Sequence, residues 1–219
     1  MTDRKSTIVR AGFDRVSPAL VAKAEGLSTA TIHEAGGKIG VMPSEIKPVH
    51  PHFRVCGPAM TVHSPPGDNL WLHYAIYEAQ PGDVLVVHVE GKYDHGYWGE
   101  VMSTAAKARH LGGLVIDGCV RDFTLLEEVG FPVFSRGLCI RGTGKDKNAY
   151  GAINRTLRFD GLSVEPGDLI VGDNDGVVVV PQARSAEVIE ASRHRDEDEL
   201  DICRRLMAGE TTIDIYKLG

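Results

Sequence analysis

Apolar positions in the middle of the chain come in short, nearly continuous runs that alternate with helix-like segments. Residues 84–89, 114–117 and 132–134 are mostly Val, Leu, Ile and Phe, a composition typical of strands buried on both faces. Residues 69–80, 100–110 and 123–129 are predicted as the helices that connect them. The order strand–helix–strand with short links predicts a largely parallel sheet.

Both ends of the chain are predicted to be helical. Ser17 before Pro18 is a typical helix start, and short helices are expected over residues 19–24 and 28–35. A long helix over residues 182–207 and a tail complete the chain. Between residues 137 and 180 strand-like pieces alternate with turns, which predicts antiparallel hairpins forming a second sheet or layer.

The bulk composition restricts the class of protein. A chain of 219 residues can bury a sizeable core in one domain with appendages. Its net charge of −6 argues against nucleic acid as a partner. There is no apolar run of about 18 residues, so no membrane span is expected. Four dispersed cysteines without a CxxC motif, and no signal-peptide pattern, predict a cytoplasmic protein with reduced thiols.

The strongest chemical feature is Arg121-Asp122, which follows the strand-like run 114–117. Ligands of open α/β sheets bind where strands end. An arginine fork can grip a carboxylate, and an aspartate can hold a hard divalent cation. Gly99-Glu100, about twenty residues upstream, opens a helix whose free N–H groups can bind the same anion. These parts predict a metal-assisted reaction on a small keto acid.

Some of these residues also have purely structural interpretations. Glu100 could simply stabilise the dipole of its helix. Asp122 could cap the helix that begins at Phe123, which does not exclude metal binding. Asp117 is interpreted as a turn residue, or as one that lies behind the site.

Other polar positions are predicted to be structural. His50 and His52 flank a proline, which favours a loop over a metal chelate, and His88 is interpreted as a core residue of its strand. Residues 173–176 are predicted to form a hairpin turn, because the glutamate of a calcium-binding loop is missing. The loop formed by Lys92, Tyr93, Asp94, His95 and Trp98 precedes the site helix, and contact with substrate is left open for it.

Several sequence blocks agree with one known family. They are PPGDNL (65–70), PGDVLVV (81–87), GLVIDGCVRD (113–122), GFPVF (130–134), PGDLIVGDNDGVVVVP (166–181) and AGETTIDIY (208–216). Together with the spacing from Gly99-Glu100 to Arg121-Asp122, they resemble the acidic-X20-Arg-Asp signature of class II pyruvate aldolases. The family is the HMG/CHA (4-hydroxy-4-methyl-2-oxoglutarate / 4-carboxy-4-hydroxy-2-oxoadipate) aldolase family of the RraA-like superfamily.

This resemblance implies a fold and an assembly. The fold is the α/β swivelling β/β/α type, an αββα sandwich with N-terminal helices and a long C-terminal helix. A single domain is expected, with a helical extension (1–50), an α/β core (51–180), and a C-terminal helix and tail (181–219) that pack on a neighbouring subunit. The assembly implied is a homotrimer or homohexamer.

The resemblance also implies an activity. A 4-hydroxy-2-oxo acid, namely 4-hydroxy-4-methyl-2-oxoglutarate or 4-carboxy-4-hydroxy-2-oxoadipate, would be cleaved to pyruvate and a second oxo acid, with accompanying oxaloacetate decarboxylation. The cofactor would be Mg²⁺ or Mn²⁺ held by Asp122, and Arg121 would contact the keto oxygen or carboxylate. Glu199 of a neighbouring subunit would assist the base, with Asp196 as the alternative. The substrate carboxylate would be held by the N–H groups of Gly99, Glu100, Val101 and Met102.

Three other functions compete with this one. The first is a non-catalytic regulator that binds a ribonuclease, a type that is shorter and lacks the acidic C-terminal helix found here. The second is a methyltransferase, which the absence of a GxGxxG motif disfavours. The third is an oxaloacetate decarboxylase without aldolase activity. It would use the same residues, so the sequence does not separate it from an aldolase.

Overall fold

The computed structural model of the protein describes residues 12–219. The strands are β1 (Lys47–Pro48), β2 (Val55–His63), β3 (Val84–His88), β4 (Gly113–Asp117), β5 (Cys119–Val120), β6 (Val133–Ser135), β7 (Gly137–Leu138), β8 (Ala152–Ile153), β9 (Leu157–Phe159), β10 (Leu162–Val164), β11 (Leu169–Asp173) and β12 (Gly176–Val180). The main sheet has the order β1-β6-β4-β3-β2-β11-β12, and β8 also pairs with β2.

The predicted helices form between these strands. They are α1 (Pro18–Ala24), α2 (Thr29–Ala35), α3 (Leu70–Glu78), α4 (Glu100–Ala108), α5 (Phe123–Val129), α6 (Ser185–Met207) and α7 (Thr212–Tyr216). Ser17 and Ser28 cap α1 and α2 by accepting hydrogen bonds from Leu20 N and Thr31 N, which satisfies backbone donors that have no partner inside the helix.

Four central strands, β2, β3, β4 and β6, are parallel, as the sequence predicted. In this register His63, His88 and Asp117 are neighbours across the last positions of β2, β3 and β4. We call this side of the sheet, where the parallel strands end, the carboxyl edge, and the side where they begin the amino edge. The connections place the segment after β4 at the carboxyl edge, where α/β proteins bind ligands.

The prediction of a second sheet was wrong for the hairpin β11–β12. It continues the main sheet, because β11 pairs antiparallel with β2 from Gly172↔Val55 to Leu169↔Pro58. The nine-residue β2 therefore has partners on both sides, and both strands of the hairpin are buried. Separate two-stranded sheets are formed by β9 with β10 and by β5 with β7.

Helices cover the sheet in two groups. Helices α1, α2 and α6 share a hydrophobic cluster with β11 and β12, which includes Ile32, Val178 and Ile189. Helices α3, α4 and α5 pack into the larger cluster around the parallel strands, which includes Leu72 and Leu126. None of the helices within residues 12–219 has the length and apolar character needed to span a bilayer.

The C-terminal part of the chain stands apart from both clusters. The buried residues of α6 all lie in its first eight positions, from Ser185 to Ser192, and α7 has none. We call residues 193–219 the C-terminal arm. The sequence predicted a tail after α6, and residues 212–216 of this tail form α7. Large apolar side chains of the arm are exposed, namely Leu200, Met207, Ile213, Tyr216 and Leu218.

Candidate functional site

Arg121 and Asp122 follow β5, which runs beside β7 at the carboxyl edge. Backbone hydrogen bonds hold this segment on both sides. Arg121 N donates to Trp98 O at 2.9 Å, and Cys139 N donates to Val120 O at 2.8 Å. The position of the pair is therefore set by the loop before α4 and by the strand β7, neither of which is adjacent to it in sequence.

The Asp122 carboxylate lies over the first turn of α4. Its Oδ2 accepts a hydrogen bond from Glu100 N at 3.1 Å. Asp122 also occupies the position before α5, but its side chain makes no capping hydrogen bond to that helix. Its backbone is left-handed (φ 66°, ψ 40°), whereas capping residues usually have extended backbone. The interpretation of Asp122 as the cap of its own helix was therefore wrong, because its carboxylate caps α4.

Two glycines make this arrangement possible. A Cβ on Gly99 would collide with Asp122 Oδ2. A Cβ on Gly96 would lie 2.5 Å from Cys139 O and 3.1 Å from Arg121 Cβ. Gly99 could be recognised from the sequence as the start of a helix, whereas the role of Gly96 becomes visible only when the facing segment is known.

The side chains of Arg121 and Asp122 converge at the surface. Arg121 Nε lies 3.8 Å from Asp122 Oδ2, and the two side chains are 48% and 35% exposed. Among residues 12–219, Asp122 Oδ1 has no hydrogen-bond partner in the structure. A partly exposed carboxylate with a free oxygen can take a cation as ligand, and the guanidinium beside it can take an anion.

The first turn of α4 offers further donors. In the described part of the chain, the N–H groups of Val101 and Met102 have no acceptor, as expected for the first turn of a helix. The Met102 side chain is buried, and its Sδ lies 3.5 Å from Asn69 Nδ2. Asn69 Nδ2 also donates to Tyr97 O at 2.8 Å, so Asn69 fixes the start of α4. The sequence analysis did not single out Asn69.

A cation at this place would have few protein ligands. Across residues 12–219 there is no group of three or more His, Cys, Asp or Glu side chains arranged to hold a metal. The donor at hand is the carboxylate oxygen of Asp122, a hard ligand that suits Mg²⁺ or Mn²⁺ and leaves coordination positions for water and substrate. The residues present therefore fit a hard divalent cation and do not fit a zinc site rich in histidine or cysteine.

The loop before α4 is held in place by several contacts. Asp94 pairs with Arg141 at 2.7 Å, and the Tyr97 hydroxyl donates to Lys92 O at 2.6 Å. Trp98 is fully buried and donates to Ser103 Oγ at 2.7 Å. Trp98 therefore has a structural role, whereas the exposed side chains of Lys92 and Asp94 remain candidates for contact with substrate.

Other candidates from the sequence have structural roles. His50 is buried, and its Nε2 lies 2.8 Å from Phe123 O, which fixes the start of α5 and confirms the structural interpretation of the loop at residues 50–52. Asp173 pairs with Gly176 at the turn between β11 and β12, and its carboxylate accepts two hydrogen bonds from Thr29. The prediction of a hairpin turn is confirmed.

Glu199 does not meet the other predicted site residues within one chain. Its carboxylate pairs with Arg195 Nε at 2.9 Å on the exposed arm, and no contact in residues 12–219 joins it to Arg121 or Asp122. The alternative, Asp196, accepts a hydrogen bond from Thr31 Oγ1 at 2.9 Å. Asp196 thus braces α2 against α6, whereas Glu199 contacts its own helix through Arg195 and leaves the rest of its carboxylate to solvent.

A cavity with a volume of about 830 Å³ lies elsewhere, beside the amino edge, and its lining includes Val55, Gly82, Gly112 and residues of α1. Arg121 and Asp122 do not line it. In a single chain the side chains of Arg121 and Asp122 are open to solvent.

Comparisons with known proteins agree with the fold. The model of the family described as RraA-like, Aldolase/RraA, matches residues 24–179. A protein of Halalkalibacterium halodurans with the name "Putative 4-hydroxy-4-methyl-2-oxoglutarate aldolase" is 36% identical over 173 residues, which are 79% of this chain and 81% of that protein.

Two solved structures illustrate the range of similar proteins. The crystal structure of an uncharacterized protein from Pseudomonas syringae pv. tomato superposes with a TM-score of 0.80 at 31% identity, and covers 91% of this chain and 97% of that one. The structure of the RNA-processing inhibitor RraA from Thermus thermophilis gives a TM-score of 0.64 at 23% identity, and covers 70% and 92%. The second likeness concerns the fold alone. Because the family model matches most of its length, the chain belongs to the Aldolase/RraA family of RraA-like proteins.

Proposed function

We propose that this protein is a divalent-metal-dependent lyase that cleaves a 4-hydroxy-2-oxo acid to pyruvate and a second oxo acid. The preferred substrates would be 4-hydroxy-4-methyl-2-oxoglutarate or 4-carboxy-4-hydroxy-2-oxoadipate, and oxaloacetate decarboxylation would accompany the cleavage. One observation carries the proposal. The Asp122 carboxylate and the Arg121 guanidinium converge at a glycine-opened helix start, where Asp122 accepts from Glu100 N and the next two N–H groups have no acceptor in the described chain.

Asp122 would hold Mg²⁺ or Mn²⁺. When bound, the cation supplies Lewis-acid stabilisation of the negative charge that develops on the keto oxygen as the carbon–carbon bond breaks. Arg121 remains charged at every relevant pH and contacts the keto oxygen or the carboxylate of the substrate. The amides of Val101 and Met102 bind the carboxylate through the positive end of the α4 dipole.

A proton must also leave the 4-hydroxyl group. We assign Glu199 of a neighbouring subunit to this step, where it accepts the proton through a water molecule. In its own chain Glu199 lies on the C-terminal arm, away from the buried cluster. Donation of the arm to a second copy brings this carboxylate to a site that is open in one chain.

The exposed surface of the arm supports such an assembly. The side chains of Met207, Leu218 and Leu200 are 90%, 70% and 67% exposed in a single chain. Large apolar side chains exposed on one short segment of this kind mark protein–protein contacts. We propose a closed homotrimer or homohexamer in which the arm of each subunit covers its neighbour.

A coupled assay for pyruvate tests the function. The protein is incubated with each of the two 4-hydroxy-2-oxo acids and with oxaloacetate, in the presence of Mg²⁺ or of a chelator. Pyruvate release that depends on the metal is the expected result. Release from oxaloacetate alone would narrow the function to a decarboxylase. No release from any substrate, together with inhibition of a ribonuclease, would replace the proposal by a regulator.

Mixing two inactive variants tests the shared site. Asp122→Asn subunits lack the proposed metal ligand, and Glu199→Gln subunits lack the proposed proton acceptor. When the two variants are refolded together, some sites combine Asp122 of one subunit with Glu199 of its neighbour. Recovery of activity in the mixture is expected if Glu199 acts on a neighbour. Activity that stays at the level of the separate variants would contradict this assignment. Asp196→Asn is the matched control, because Asp196 is engaged with Thr31 in its own chain.

A further inference from the structure

Arg136 lies directly after β6 and contacts three different segments. Its Nε donates to Asp117 Oδ1, its Nη1 lies 3.2 Å from Glu45 Oε1, and its Cζ stands 4.0 Å from the centre of the Tyr93 ring. Its side chain is 16% exposed and that of Asp117 is 3% exposed. This ion pair is therefore mostly screened from water, and its geometry is fixed by both charge and ring stacking.

These contacts surround the turn that leads to the candidate site. Arg136 N donates to Gly118 O at 3.0 Å, and Cys119 N donates to Tyr93 O at 2.9 Å. The Arg136 guanidinium therefore holds Asp117 on one side of this turn. On the other side the backbone carbonyl of Tyr93 holds Cys119, and the ring of the same tyrosine packs against the guanidinium. Two residues further along the chain the segment reaches Arg121.

We propose that Arg136 is a positioning residue, which holds the turn at residues 117–119 so that Asp122 stays over the start of α4. The inference rests on the proposed function for its effect on turnover, but its effect on cation binding can be measured without any reaction. The side-chain contacts of Arg136 in the described chain are with Asp117, Glu45 and Tyr93, and none is with Arg121 or Asp122. Partners that orient a metal ligand commonly change affinity or activity by roughly ten- to a hundredfold.

The test is the double variant Arg136→Met/Asp117→Asn, which removes the pair without leaving a buried charge alone. Mn²⁺ affinity is measured by electron paramagnetic resonance of the free ion, and kcat and KM by pyruvate release. The Mn²⁺ dissociation constant is expected to rise about tenfold and kcat to fall ten- to a hundredfold. KM should change less, because α4 and Arg121 still hold the substrate carboxylate.

A matched control exists at the amino edge of the same sheet. Arg15 and Asp83 form a pair of the same type, with Arg15 Nε 2.7 Å from Asp83 Oδ1. The double variant Arg15→Met/Asp83→Asn should lower the melting temperature and leave the Mn²⁺ affinity and kcat near those of the wild type. A purely structural role for Arg136 would give the same pattern in both double variants, and that result would overturn the proposal.

Two further outcomes are informative. If Arg136→Met/Asp117→Asn does not fold, Arg136→Lys decides, because a lysine keeps the charge but not the stacked plane over Tyr93. The lysine variant should weaken Mn²⁺ binding by a smaller factor at nearly normal stability, and unchanged binding would refute the inference. If the wild type releases no pyruvate, the proposed function fails, while the Mn²⁺ measurement still tests the position of Asp122.

Discussion

The two edges of the parallel sheet use the same residue types in opposite ways. At the amino edge Asp83 is fully buried, and its carboxylate accepts two hydrogen bonds from Arg15 and one from Gln80 N. At the carboxyl edge Asp122 is about one-third exposed, accepts one hydrogen bond from Glu100 N, and lies 3.8 Å from the nearest charged atom of Arg121.

This difference separates structure from chemistry. A buried carboxylate whose acceptors are satisfied stabilises the fold and has no capacity left for a ligand. The partly exposed carboxylate of Asp122 keeps one oxygen free, and the surrounding segments hold its backbone in the left-handed conformation, which residues other than glycine seldom adopt. Residue type and pairing alone do not distinguish the two pairs, whereas burial and unsatisfied hydrogen-bond capacity do.

The largest expected effect comes from exchanging the two aspartates for asparagine. Asp122→Asn should lower metal-dependent turnover by on the order of 10³-fold, because the metal loses its charged ligand, with little change in melting temperature. Asp83→Asn should leave turnover near normal and lower the free energy of unfolding by about 3 kcal/mol. Pyruvate release and thermal unfolding measure both. Equal effects on turnover would remove the distinction between the edges.

A smaller effect is expected from adding one methyl group at either edge. Gly99→Ala should push the Asp122 carboxylate off α4 and lower kcat about a hundredfold, as a displacement of about 1 Å can do. Gly112→Ala is the matched control, since its Cβ would lie 2.6 Å from Gly82 O at the amino edge. That variant should lose stability and keep its Mn²⁺ affinity. Normal kcat in Gly99→Ala would contradict the close approach.

Replacement of Arg121 by lysine tests the planar fork. Arg121→Lys keeps a positive charge but not the two parallel donors, so kcat/KM should fall by roughly tenfold, the equivalent of one good hydrogen bond. Mn²⁺ affinity should change little, because Asp122 remains. Arg15→Lys provides the control at the amino edge, where only stability is at stake. An Arg121→Lys protein with full kcat/KM would show that charge alone is sufficient.

The smallest effect concerns the pH dependence of stability. Burial lowers the pKa of His88 from its ordinary value, despite the neighbouring Asp117 carboxylate. The imidazole of His88 therefore binds a proton more readily in the unfolded chain than in the folded one. The stability that comes from keeping His88 neutral is complete above about pH 6.5. It is lost as the pH falls towards the lower pKa of the folded state. His88→Asn should flatten the decline in stability between pH 7 and 5, measured by urea unfolding. An unchanged slope in His88→Asn would contradict the burial effect.

Local patterns in the sequence predicted much of the fold. The cap Ser17 and the apolar runs of β3 and β4 were identified correctly, because helix starts and buried strands depend on neighbouring residues. The place where the hairpin β11–β12 joins the main sheet was not predicted, because a hairpin pattern does not reveal which strand the hairpin pairs with. Pairing with β2 depends on contacts more than a hundred residues apart.

The candidate site shows the same division. Its proposed chemistry rests on Arg121-Asp122 and the family resemblance, because metal and carboxylate binding need particular functional groups that a sequence displays. The roles of Gly96 and Asn69 could not be predicted from the sequence. Gly96 matters because its backbone packs against the segment that follows β7, and Asn69 matters because its side chain contacts Tyr97 and Met102 at the start of α4. The exposed position of Glu199 became clear only when α6 was seen to leave the hydrophobic cluster after Ser192.

The sequence by itself determined the family, the order of helices and strands, and the pair of residues at the centre of the proposed chemistry. The tertiary structure decided that Asp122 caps α4 instead of its own helix, that Arg136 braces the turn before it, and that the site stays open in one chain. The physical reason is distance along the chain. Propensity and side-chain chemistry are local properties, whereas burial, close approach and hydrogen-bond satisfaction depend on segments that meet only in the folded protein.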